Sequence, residues 1–178
     1  MKKIVITAGL ISGVIASTIM GISMSMCASD PGYEGSMLIG YASMVLAFSL
    51  IFVAVKNYRD KQNGGVVSFG KALSIGLLIA FIASTMYVLT WAIMYNYFLP
   101  DFMDKYTHHM VERAQQSGDQ KKIAETMAQI QEWKDGYKNP VYFTLITYAE
   151  IFPVGLIVSL IAAAILRKND KSGKLRTA

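Results

Sequence analysis

Glu150 is the one charged side chain inside a long apolar run, about ten residues from the start of the last such run in the chain. A bare carboxylate at that depth of a hydrocarbon layer costs several kcal/mol, and no Lys or Arg lies in any apolar run to neutralise it. The acid is therefore expected to be protonated or hydrogen-bonded. At matching depth along the other runs stand Ser17 or Thr18, Ser43, and Thr85 or Tyr87. That matching predicts a buried polar cluster in which Tyr87 is the foremost partner of the acid. Pro153, three residues beyond Glu150, has no N–H to donate and crowds the carbonyl of Ala149, which predicts a kink beside the acid. An acid, a freed carbonyl and a kink would make a proton or cation site. The plainer alternative is a protonated Glu150 that holds two helices together by hydrogen bonding. No second acid or base leads from it to either surface, which disfavours a proton relay.

Two other patterns bear on chemistry, and both are weak. Gly65, Val66, Val67, Ser68, Phe69, Gly70 and Lys71 nearly spell a phosphate-binding loop, but Ala72 stands where Ser or Thr would hold magnesium, and an apolar helix follows. Lys71 reads more simply as an interfacial anchor near lipid phosphate. Asp104, His108 and Glu112 recur every fourth residue and would share a helix face able to hold a divalent ion, with His109 about 100° away. One histidine on such a face describes a solvated charged surface better than a metal site. No Ser, Cys or His arrangement suggests a nucleophilic enzyme. The single cysteine, Cys27, forms no intrachain disulfide. Neither enzyme activity nor a metal or cofactor is expected.

The helices that carry Glu150 and its neighbours follow from the segregation of charge. Hydrophobic residues make up 53% of the 178 positions and charged residues 16%, with the charges collected between uncharged stretches. About 20 apolar residues cross a hydrocarbon core, and four runs meet that length, at 4–26, 36–55, 72–98 and 141–166. Lys2 and Lys3 before the first run could open a secretory signal, and Cys27 after it could suggest a lipoprotein. The run is too long for a signal core, however, and Met26 is too large for a lipoprotein cleavage site.

The net charge of +5 would suit nucleic acid only if the basic residues shared one folded face, whereas here they flank the apolar runs. Lys2, Lys3, Lys56, Arg59, Lys61, Lys71, Arg167, Lys168, Lys171, Lys174 and Arg176 fall on one side of a four-span chain. Lys105, Arg113, Lys121, Lys122, Lys134 and Lys138 fall on the other, spread through a longer segment, and the loop at 27–35 has no Lys or Arg. The denser side faces the cytoplasm, so both termini are expected there. Trp91, Tyr95, Tyr97, Phe98, Tyr142 and Phe143 would form an aromatic belt at the outer interface. Residues 99–139 read as an extracytoplasmic amphipathic helical hairpin turning at Ser117, Gly118 and Asp119, with Ile123, Met127, Ile130 and Tyr137 on one face. Residues 167–178 read as a short disordered basic tail.

In lipid, helices associate through close approach at small residues and through hydrogen bonds. The first run carries Gly9, Gly13, Ser17, Gly21 and Ser25; the third Ala72, Gly76, Ala80 and Ser84; the last Gly155, Ser159 and Ala163. These ridges predict a single compact four-helix domain. A contact between copies through the first ridge is the alternative.

Gly40, Tyr41, Ala42, Ser43 and Met44, the stretch from Lys56 to Asp60, Ser68 to Lys71, Pro100 to Phe102, and Glu150 to Gly155 together carry a resemblance. Over nearly its whole length the chain resembles a family of short bacterial membrane proteins known only as a domain of unknown function. The resemblance implies four spans in a bacterial cytoplasmic membrane and brings no activity, substrate or catalytic residue. The expectation is thus an all-α polytopic inner-membrane protein touching lipid and no nucleic acid. It would act as a structural or accessory component through lateral contacts with its own copies or another membrane protein. A small oligomeric transporter or ion-conducting protein built on Glu150 is the alternative.

Overall fold

The computed structural model describes residues 1–29 and 37–168; the loop at 30–36 and the tail from 169 onward lie outside the described residues, and with them most of the loop at 27–35 and of the basic tail. Four helical stretches are long and apolar enough to cross a membrane, Lys2–Met26, Leu38–Gln62, Phe69–Phe98 and Pro140–Leu166. The protein is all-helical and multi-pass.

The helices are α1 (Lys2–Ser29), α2 (Met37–Phe48), α3 (Leu50–Asn57), α4 (Phe69–Ile93), α5 (Phe102–Gln116), α6 (Gln120–Tyr137) and α7 (Pro140–Leu166). The second span is thus α2 and α3, separated at Ser49, and it runs past the expected end at 55 into a π-helical turn, Tyr58–Gln62. The Ser49 hydroxyl donates to the Leu46 carbonyl at 2.6 Å, and its N–H is shared between Val45 and Leu46. Such local back-bonding by serine distorts a helix. A second π-helical turn, Met94–Phe98, closes the third span.

Helix starts follow side chains able to cap free N–H groups. Ser68 Oγ accepts from the Lys71 N–H at 3.3 Å, Asp119 from Lys121 and Lys122, and Asn139 from Val141 and Tyr142. The cap at Ser68 also bears on the phosphate-loop pattern, because the Lys71 N–H is already taken by the Ser68 hydroxyl where the helix opens at Phe69.

α4 is the centre of the bundle, packed on α1 along one side and α7 along another; α2 and α3 close the ring by touching both α1 and α7. The small-residue ridges make these approaches. A Cβ at Gly9 would stand 2.8 Å from Ile82 Cβ, and one at Gly13 would stand 2.9 Å from Met86 Cβ, so α1 meets α4 there. A Cβ at Gly76 would stand 2.7 Å from Ser159 Oγ, and one at Gly155 would stand 2.7 Å from Ala80 Cβ and 3.0 Å from Phe48 Cζ. Ala72, Ala80, Ser159 and Ala163 are fully buried at the same contacts. Gly21 is looser, 3.7 Å from Met94 Sδ. Hydrogen bonds add to the close approach. Ser12 Oγ donates to the Ala47 carbonyl at 2.8 Å, and Thr90 donates to Ser17 at 3.2 Å.

One end of the bundle gathers both described ends of the chain. The N-terminal ammonium donates to Gln62 at 2.6 Å, Arg59 donates to the Leu166 carbonyl at 3.3 Å, and Val67 and Lys168 exchange two backbone bonds of 2.9 Å. At the opposite end α5 and α6 pack on one another, with Lys134 on Asp104 at 2.6 Å. They are joined to the spans by rings. Trp91 meets Phe102 edge-on at 5.1 Å, and Tyr95, Tyr137 and Phe143 contact one another at 5.3–5.5 Å.

Ser84, fully buried in α4, has the one buried side-chain oxygen without a hydrogen-bond partner among the described residues. Ser84→Ala removes an unsatisfied hydroxyl and improves helix propensity. It is expected to raise stability by about 1 kcal/mol, read as a higher Tm in detergent.

Candidate intramembrane site

A cavity of about 340 Å³ opens in the half of the bundle nearest α5 and α6, with Glu150 on its wall. It exists because α1 and α7 each pack on α4 without packing extensively on one another, leaving a gap that α5 and α6 cover. The wall is assembled from side chains one helical turn apart, which share a face at i and i+4. α1 contributes Met20 and Met24, α4 Tyr87 and Trp91, α6 Trp133 and Tyr137, and α7 Tyr142, Ile146 and Glu150. Phe102 and Met103 complete it from the start of α5.

Glu150 keeps accessible surface, yet protein crowds its carboxyl on most sides. Both descriptions hold because the group opens onto a cavity. Tyr87, only 7% exposed, shares that wall with Glu150. Among the described residues no Lys, Arg or His lines the cavity, so this acid has no basic partner on its wall.

Of the polar residues matched to Glu150 by depth, the structure brings Tyr87 to it and sends the others elsewhere. Thr85 pairs with the Tyr148 hydroxyl at 2.6 Å on a different face of the α4–α7 contact. Ser43 donates to the Gly40 carbonyl within its own helix at 2.6 Å, and Ser17 receives the Thr90 hydroxyl. Depth along a helix does not fix direction around it. Thr85 and Tyr87, two residues apart, point about 200° apart. The helix runs through Pro153 without interruption, with the acid inside it three residues before the proline.

The wall residues not foreseen around the acid are Met20, Met24, Trp91, Phe102, Met103, Trp133, Tyr137, Tyr142 and Ile146. A signal for some was present: Tyr142, Ile146 and Glu150 repeat every fourth residue, as do Tyr87 with Trp91 and Trp133 with Tyr137. Which of these pairs face one another depends on helix packing.

The charged helix face of α5 divides. Asp104 is held by Lys134, while His108 Nδ1 lies 3.4 Å from Glu112. No group of three or more metal-ligating side chains gathers among the described residues. Asp104 and Lys134 form an accessible pair, so Asp104→Asn is expected to cost under about 1 kcal/mol in a thermal melt, with the loss shrinking as salt is added.

Residues 7–168 match the model of the family described as Protein of unknown function (DUF4199). The chain belongs to this family. That match spans α1 through α7, so the cavity and Glu150 lie within the family's extent. Neither the comparison with curated proteins nor that with solved structures gives a match. The chain is a DUF4199 protein with four helices long and apolar enough to cross a membrane, and membership assigns no activity to the cavity.

Proposed function

We propose that this protein is a small membrane transporter or ion-conducting protein in which Glu150 takes up and releases a proton or a cation. The observation that carries this is the position of Glu150 on the wall of an accessible cavity, which it shares with Tyr87 and with no basic residue among the described residues. An acid retained at such depth is functional by default, because its charged form is costly there. It needs no cofactor and performs no enzymatic reaction.

The membrane is a bacterial cytoplasmic membrane, with both termini on the cytoplasmic side and α5 and α6 outside. In support, Lys2, Lys3, Lys56, Arg59, Lys61, Lys71, Arg167 and Lys168 belong to the segments gathered at one end of the bundle. Lipid is the constant partner, nucleic acid is none, and homo-oligomers or a membrane-protein partner would meet the apolar outer faces.

Difference infrared spectra of wild type against Glu150→Gln in liposomes isolate the Glu150 carboxyl band. The band is expected to appear at low pH and vanish as pH rises. A band unchanged wherever the protein stays folded would exclude uptake and release.

One observation favours a second reading, a structural or accessory component. Tyr87 of α4 and Glu150 of α7 stand on one cavity wall, where a hydrogen bond between them would hold the helices together. A marked Tm loss in Glu150→Gln would support that role, whereas equal or greater stability fits an acid kept for titration.

A further inference from the structure

Six aromatic side chains, Tyr87, Trp91, Phe102, Trp133, Tyr137 and Tyr142, line the cavity that holds Glu150. Met20, Met24 and Met103 supply most of the remaining wall. An inorganic cation needs a shell of oxygens, and this wall offers one carboxyl and three phenol hydroxyls amid rings and thioethers. An organic cation asks for something else, a counter-charge at one point and polarisable π faces around the rest. Aromatic cages bind quaternary ammonium groups for that reason. Methionine adds adaptable apolar surface that accommodates different shapes. The volume, about 340 Å³, lies at the small end of ligand pockets.

We propose that the cavity binds small hydrophobic organic cations of the quaternary ammonium type, with Glu150 as counter-ion and the rings as the cage. This rests on the assignment of Glu150 as a titrating site. Entry of the cation converts the neutral acid to a carboxylate, and the proton leaves to solvent, so the cavity's charge changes by none. The other titratable groups on the wall are Tyr87 from α4, Tyr137 from α6 and Tyr142 from α7; α1 and α5 contribute only apolar side chains to it. Glu150 is therefore the group with which the cation and the proton compete.

Both tryptophans of the protein, Trp91 and Trp133, line the cavity, so intrinsic fluorescence reads its occupancy. The full-length protein in detergent would be titrated with benzyltrimethylammonium and, separately, with neopentylbenzene, the same shape with carbon in place of the charged nitrogen. Saturable quenching by the cation is expected, at least roughly tenfold tighter than any effect of the neutral compound. Glu150→Gln weakens the cation by roughly tenfold or more. In wild type the apparent affinity falls about tenfold for each pH unit below the carboxyl midpoint, as competition by one proton requires.

Equal binding of the neutral compound would make this an apolar or lipid site and overturn the proposal. So would absence of cation binding, or an affinity that stays flat while the carboxyl titrates. The pH series and the neutral compound use wild type, so they decide the matter even if Glu150→Gln does not fold. An infrared carboxyl band that titrates but does not respond to benzyltrimethylammonium would leave the proton site standing and remove the organic cation. A band that never titrates would remove both.

Discussion

Gly155→Leu is expected to prevent assembly of the bundle, and Gly155→Ala to lower its stability by about 1–2 kcal/mol, measured as fraction folded against denaturant in detergent. A Cβ at position 155 would stand 2.7 Å from Ala80 Cβ and 3.0 Å from the Phe48 ring. Neither neighbour yields easily: Ala80 Cβ is fixed to the α4 backbone, and Phe48 is fully buried. Overpacking of this kind typically costs about 1–3 kcal/mol, and the better helix propensity of alanine returns up to about 1 kcal/mol. Leucine has nowhere to go, so α7 would have to leave α4. In lipid the penalty is not relieved by burial elsewhere, because the membrane already solvates apolar surface.

The specific check is Ala80→Gly combined with Gly155→Ala, which moves one methyl group across the interface between α4 and α7. It should recover much of the loss, though not all, since Phe48 remains in place. Gly40→Ala is the control, because a Cβ there meets nothing within 4 Å; it should be neutral or slightly stabilising. Loss at Gly40 equal to that at Gly155 would mean that close approach is not the cause.

The second large effect is expected at Phe143, buried at the start of α7 against Tyr95 and Tyr137. Truncating a buried phenylalanine costs about 3–5 kcal/mol where the surroundings cannot collapse. The Phe143 ring ties the end of α6 to α7 and to the C-terminal end of the third span, so the cost of removing it falls locally on α5 and α6. Phe143→Ala should make their opening roughly a hundredfold more frequent. Limited proteolysis would read this as accelerated cleavage within residues 102–137 while the spans stay intact. Trp133, which lines the cavity from α6, should shift its emission to the red. Unchanged cleavage would mean that α5 and α6 are held by other side chains. Because these helices cover the cavity, the same variant should also weaken any ligand held beneath them.

The four spans were legible because the requirement that defines them is one-dimensional. A helix in lipid must satisfy its own backbone and present apolar side chains for about 20 residues, and both conditions can be read along the chain. The ridges at Gly9 and Gly13 and at Gly76 and Gly155 were legible as small residues every fourth position, though not which ridge meets which. The break at Ser49 was not, since serine occurs harmlessly elsewhere in these helices. Tyr87 could be matched to Glu150 by depth, but so could Thr85, Ser17 and Ser43, which found partners of their own.

Composition and spacing along the chain were enough to set four helices long and apolar enough to cross a membrane, with one acid inside the last, because they decide what lipid tolerates. Tertiary structure alone decided that this acid opens onto a cavity walled by six aromatic side chains. Those rings come from α4, α5, α6 and α7, and the gap they surround is left between α1 and α7. Such a space is a property of how helices rotate and pack about one another, and no single stretch of residues encodes it.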